Sequence, residues 1–224
     1  MSNQAYLSVW CKDFPEDQIL ERFGAFLSTV PYSQSKPGFT HLIVRALDFT
    51  QTALLEEDLR AAPQDAAGII EIAKDQLHAD CAYEVRADWD LWIFEGEPPR
   101  WQRLPQPLWL SCYGPDFDEG YWQENGHLEA NLGFEHLFTG HGGLLGFRQS
   151  GKPVPQSAEE ARFFASMEQP ANLEMYQEKT RENIRQLLEW IRHIEKALPV
   201  DRYRMWSEGE ENFEARLEEI LAAR

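Results

Sequence analysis

The chain has 224 residues, and 38 Asp and Glu against 21 Lys and Arg give it a formal charge of −17. Hydrophobic residues at 43% are too many for a disordered chain, and no apolar run reaches the length of a membrane-spanning helix. An acidic balance of this size argues against binding the phosphate backbone of nucleic acid. The N-terminus lacks a basic region followed by an apolar stretch, so no signal peptide is expected and the cytoplasm is the natural compartment. Cys11, Cys81 and Cys112 are widely spaced with no CxxC pair, which reads as reduced, packed thiols.

Residues 5–11 read as a first strand, rich in β-branched and aromatic side chains. Pro15, Glu16 and Asp17 then open a helix whose apolar positions Ile19, Leu20, Phe23, Phe26 and Leu27 recur three and four apart. Residues 39–47 read as a second strand, and 48–59 are ambiguous. Asp65 is placed to cap a helix carrying Ile69, Ile70, Ala73 and Leu77 on one face. Residues 83–94 alternate strictly, with Tyr83, Val85, Ala87, Trp89, Leu91 and Ile93 on one side, the period of a strand. Trp89 and Trp92 then point to opposite faces, so unless both faces are covered one of them is exposed or lines a cleft; packing in the core is the favoured reading. A turn at Pro98 and Pro99 leads to strands over 101–104 and 108–113, with Pro105 and Pro107 marking an edge or break. Residues 127–134 alternate again.

The composition shifts after about residue 153. Ser157 caps a short helix with acids in its first turn. Asn172 is read as the cap of a long helix over 173–198, whose apolar positions approach a heptad seam. A final helix carries Phe213, Leu217, Ile220 and Leu221. The expected fold is therefore α+β. A mixed or antiparallel sheet with two helices fills residues 1–153, for which a ferredoxin-like core extended by a meander is one topology. A helical segment over 154–224 follows, either packed on the sheet or forming a homodimer through the 173–198 seam.

Residues 7–16 and 110–119 share Leu-Ser, an aromatic, Asp-Phe and Glu at equal offsets, a pattern that raises a duplication. Residues 146–152 fit GxxxxGK, but Pro153 stands where a phosphate loop needs Ser or Thr and supplies no N–H. The stretch 104–147 holds no Lys or Arg while carrying Asp116, His127, His136 and His141. Imidazole and carboxylate are metal ligands, yet no HxH, HxxxH or HExxH spacing occurs. Cys112 beside an imidazole would be a thiol–histidine pair. Asp88 and Asp90 share one strand face, as paired carboxylates or as a solvated edge. Five residues, Cys112, Asp116, His127, His136 and His141, are therefore the candidate binding set. No cofactor is indicated. The primary reading is a non-enzymatic binding or interaction protein whose acidic surface suits a basic protein partner. The alternative is a metal- or thiol-dependent hydrolase with its site in residues 112–141.

Overall fold

In a computed structural model of the chain, the described residues are 3–96, 99–141, 144, 145, 155 and 157–223. Residues 97 and 98, with Pro98 of the expected turn, the glycines at 142 and 143 and the GxxxxGK stretch lie outside them, while Pro99 opens a strand.

Seven strands form one antiparallel sheet. They are β1 (Gln4–Cys11), β2 (His41–Ala46), β3 (Leu55–Asp58), β4 (Cys81–Gly96), β5 (Pro99–Tyr113), β6 (Leu128–Phe134) and β7 (Val200–Ser207), in the spatial order β3-β2-β4-β5-β6-β1-β7. The helices are α1 (Ile19–Leu27), α2 (Ala66–Ala73), α3 (Trp122–Asn125), α4 (His136–Thr139), α5 (Ala158–Met167), α6 (Pro170–Ala197) and α7 (Phe213–Ala222). The α+β class expected from the sequence is what the chain adopts. Its topology is not ferredoxin-like, which would set β1 between β3 and β4. Here the long β4–β5 hairpin takes the flank of β4, and β1 lies between β6 and β7.

Alternation decides which face of the sheet is buried. Leu7 and Val9, Leu128 and Ala130, Leu108 and Leu110, Val85 and Trp89, and Leu42 and Val44 all point to one side and are almost wholly excluded from solvent. The helices cover that side. α1 buries the five apolar residues read from its periodicity, and α2 is capped by Asp65, whose Oδ1 accepts from the Gly68 N–H at 2.8 Å. Trp190 of α6 lies between Trp89 of β4 (5.8 Å) and Phe26 of α1 (6.0 Å), and its Nε1 donates to Thr29 Oγ1 at 2.9 Å.

Three C-terminal expectations change. The last part of the chain is not wholly helical, because β7 joins the sheet beside β1. The long helix begins at Pro170, with Asn172 inside it; proline suits a first turn because its missing N–H has no helical partner there. The apolar seam of α6, from Tyr176 through Ile184, Leu187, Ile191 and Ile194, is buried within its own chain and is unavailable to a second copy. Pro105 and Pro107 sit in one continuous strand. β6 pairs only with residues 109–112 of β5, so beside the prolines that flank has no ladder to interrupt.

The corresponding flank of β4 does need partners. β2 pairs with β4 only through Arg86, and the strand runs ten residues further. The Ser33 N–H donates to Asp88 O at 2.7 Å, and Gln186 Nε2 donates to Asp90 O at 3.1 Å. Asn183, 2% exposed on α6, does the rest. Its Oδ1 accepts from the Trp92 N–H at 2.8 Å, and its Nδ2 donates to Trp92 O at 3.1 Å and Leu137 O at 3.0 Å. One amide therefore ties β4, α4 and α6. Asn183→Leu preserves bulk but leaves these buried groups unpaired, and is expected to cost about 2–4 kcal/mol in a urea titration. A loss under about 1 kcal/mol would show that the amide is not the tie.

Candidate functional site

A cleft of about 890 Å³ opens where the far end of the β4–β5 hairpin meets α4, α5 and α6. Trp92, Phe94 and Trp101 of the hairpin meet side chains of α5 and α6 here, and their rings form a wall. Trp89 is fully buried while Trp92 lines this cleft, resolving the choice that alternation posed. Phe94, Trp101, Tyr176 and Phe163 form a closed circuit with successive centroids 5.3, 5.3, 5.4 and 5.3 Å apart. Lys179 lies 3.7 Å over the Trp92 ring, and the Trp92 Nε1 donates to Glu182 Oε2, which fixes the indole.

The polar side of the cleft comes from α4 and the residues after it. His136 and His141 have centroids 5.6 Å apart, nearly perpendicular. His141 is held at two points. Its backbone N–H donates to the Tyr176 hydroxyl at 2.8 Å, and its Nε2 lies 3.1 Å from Glu160 Oε1. The ring of His136 stacks on Phe134 and has no hydrogen bond among the described residues. Burial, and secondarily the charge of His141, push His136 down to about 4, so its imidazole is neutral near pH 7. Glu135 and Glu159 also border the cleft, and one carboxylate oxygen of Glu135 accepts from the Gly209 N–H at 3.0 Å.

Of the five sequence candidates, the structure brings only His136 and His141 together. His127 is sandwiched between Phe14 (4.4 Å) and Trp122 (4.3 Å), and its Nδ1 accepts the Cys11 N–H at 3.1 Å. Burial pushes it, too, down to about 4. Cys112 is fully buried and makes no hydrogen bond to an imidazole among the described residues, and burial raises its thiol well above the ordinary range. That is the reverse of what a nucleophilic thiolate requires. Asp116 is exposed at the turn after β5, where its N–H donates to Ala79 O. Among the described residues, no three His, Cys, Asp or Glu side chains are placed to hold a metal ion. Asp88 and Asp90 share a face, but Asp90 Oδ2 accepts from the Gln34 N–H at 3.0 Å.

Tyr176, Glu160 and Asn183 are missing from the sequence candidates. Tyr176 reads as a position of a helical seam and Glu160 as a first-turn acid, while Asn183 falls between seam positions and carries no sequence signal. No local pattern marks a contact with residue 141, 19 or more positions away.

The sheet face away from the long helices carries a second perturbed group. Glu129 lies opposite Ser8 of β1 and Ser111 of β5, the serines of the two similar segments. Those segments flank β6 in matching register. Both then pass through a left-handed Asp (Asp13, Asp118) and a 3-10 turn, but the first enters the nine-residue α1 and the second the four-residue α3, so the likeness stops at the strands and turns. The Tyr113 hydroxyl donates to Glu129 Oε1 at 3.3 Å, while Oε2 is buried without a partner among the described residues. Burial pushes the Glu129 carboxyl up to about 7, partly offset by Tyr113 and by Arg204.

The chain matches no protein-family model, no curated protein and no solved structure in comparisons with each. No helix among the described residues is long and apolar enough to cross a membrane.

The Glu129 shift has a definite sign. The folded state holds this proton between about 4.5 and about 7, where the unfolded chain releases it, so Glu129 costs stability as pH rises through that window. His127 and His136 act oppositely: stability falls as pH drops from 6.5 to about 4, where only the unfolded chain takes up their protons. Glu129→Gln is expected to raise stability at pH 8 by roughly 2–3 kcal/mol and to leave it unchanged at pH 4. Urea midpoints of variant and parent that differ equally at both pH values would contradict this origin.

Proposed function

We propose that this is a non-catalytic binding protein whose ligand enters the cleft between the β4–β5 hairpin and helices α4, α5 and α6. The observation that carries the reading is the meeting, in one opening of about 890 Å³, of an aromatic wall with the neutral imidazole of His136, which has no hydrogen bond among the described residues. That volume suits a small organic ligand. The remaining polar groups are held by one another. Ser157 Oγ accepts from the Glu160 N–H as a helix cap, Glu160 pairs with His141, and the Tyr176 hydroxyl accepts from the His141 N–H. Such groups recognise and orient a ligand; among the described residues they do not form a nucleophile–base pair.

The chemistry favours an apolar ring system bearing a cationic or neutral hydrogen-bond donor. Glu135, Glu159 and Glu160 border the cleft, and aromatic faces attract cations. The basic partner expected from overall charge is thus reduced to a single cationic group. Titration of the intrinsic fluorescence with 1-naphthylmethylamine, 1-naphthylmethanol and 1-naphthoate tests this, since Trp92 and Trp101 line the cleft. The amine should bind best and the carboxylate worst, and Glu160→Gln should weaken the amine by about tenfold. Equal binding of all three, or a Glu160→Gln protein indistinguishable from the parent, would overturn the reading.

A further inference from the structure

A different surface, on the opposite face of the sheet beside α3, carries two arginines with no carboxylate within salt-bridge distance among the described residues. The β1–β7 register sets Tyr6 opposite Trp206, Ser8 opposite Arg204 and Trp10 opposite Arg202, all pointing away from the core. The side chains interleave. The Arg202 guanidinium lies 4.3 Å over the Trp10 ring, Arg204 lies 5.7 Å from Trp10 and 5.6 Å from Trp206, and Tyr6 stacks on Trp206 at 4.2 Å. Both indoles are pinned, Trp206 by Ser8 Oγ at 3.0 Å and Trp10 by Gln123 O at 3.3 Å. Beside them is a depression of about 580 Å³, walled on the far side by the residues of α3.

Acids outnumber bases 38 to 21 in this chain, and Arg60, Arg181, Arg185 and Arg216 all have carboxylate partners. Arg202 and Arg204 are exposed and have no salt bridge among the described residues. Arg204 donates one bond, to the backbone oxygen of Glu124 at 2.9 Å, which steadies it and leaves other N–H groups outward. A guanidinium held over an indole keeps N–H groups available for a two-point bond to a carboxylate.

We propose that this ladder binds an extended acidic peptide segment, with carboxylates two residues apart engaging Arg202 and Arg204. Alternate residues of a strand are about 6.6 Å apart, and the same spacing recurs in any extended peptide, so the two sets of charges match in step. A single-stranded nucleic acid fits less well. Arg202 covers Trp10, only 6% exposed, and Tyr6 covers Trp206, so neither indole of the ladder offers an open face for base stacking, and Tyr203 is a single exposed ring where a strand of bases needs several. A long polyanion also meets the net charge of −17, whereas a short segment meets mainly the local pair.

The test is fluorescence anisotropy with a labelled decapeptide of alternating Glu and Thr, its Gln-Thr counterpart and a decathymidylate. Only the Glu peptide should bind. Its affinity should fall about tenfold or more in the Arg202→Gln/Arg204→Gln double variant and by a similar factor at about 0.5 M NaCl. Both positions are exposed, so the variant should keep its thermal midpoint within a few degrees. Equal binding of the Gln peptide, undiminished binding by the folded double variant, or preference for the decathymidylate would each overturn the proposal.

Discussion

The fold depends on satisfying the backbone of β4 where β2 no longer covers it. An unpaired strand flank inside a protein forfeits several hydrogen bonds at once, and such a flank exposed to solvent invites pairing with another chain. This molecule covers it with a helix instead of a strand. Asn183 can imitate a strand neighbour because its side-chain amide has the same donor and acceptor as a peptide group, and it engages both the N–H and the C=O of Trp92. Once α6 is fixed there, Trp190 meets Trp89 and Phe26, and Tyr176 is carried to the His141 backbone. The core contact and the wall of the cleft follow from the same helix placement.

Covering one side of the sheet with the long helices leaves the other to the short segment from Phe117 to Asn125 and to its own side chains. That bare face holds Glu84, pushed up by burial beside Arg45, and Glu129, between two serine-bearing strands. Large rings on the same face keep water away from these groups, which is why desolvation leads the causes of both shifts. The basic residues come from distant parts of the chain. Residues 104–147 contain no Lys or Arg, yet Arg86 sits 5.8 Å over Trp109, Arg204 bonds the Glu124 carbonyl, and Arg216 bonds Leu145 O. A cation-free stretch of sequence is therefore not a cation-free region of the surface.

What the sequence made legible is what short-range physics decides. The periodicity of Ile19 to Leu27, the Asp65 and Ser157 caps and the alternation through Trp89 each depend on neighbours within a turn or two, and each appears in the structure. β7 is not legible in the sequence because its residues, five of eight charged or hydroxyl-bearing, sit on an edge with one exposed face and do not alternate cleanly. The heptad-like spacing of α6 was read correctly as an apolar face, but spacing does not say whether that face meets its own chain or another. The candidate site fared similarly. His136 and His141 are five residues apart and meet because α4 is a single short turn; His127 lies on the far side of β6, against β1. Glu160, Tyr176 and Asn183 enter only through the packing of α5 and α6.

The Arg204 guanidinium links the two unusual features of the bare face. It is one of the charges that lower the proton affinity of Glu129, and it is one of the two cations proposed to hold a peptide carboxylate. A bound carboxylate offsets part of the field that Arg204 exerts on Glu129, so binding must raise the proton affinity of Glu129. By linkage, protonating Glu129 must strengthen binding, because the site then holds one negative charge fewer. Peptide affinity should therefore increase as pH falls from 8 to 6, through the titration of Glu129 near 7 and well above that of the peptide carboxylates. In Glu129→Gln the affinity should be pH-independent over the same range and near the parent's value at pH 6. An equal rise in parent and variant would place the proton elsewhere, and no rise in the parent would mean that Arg204 does not couple the two sites.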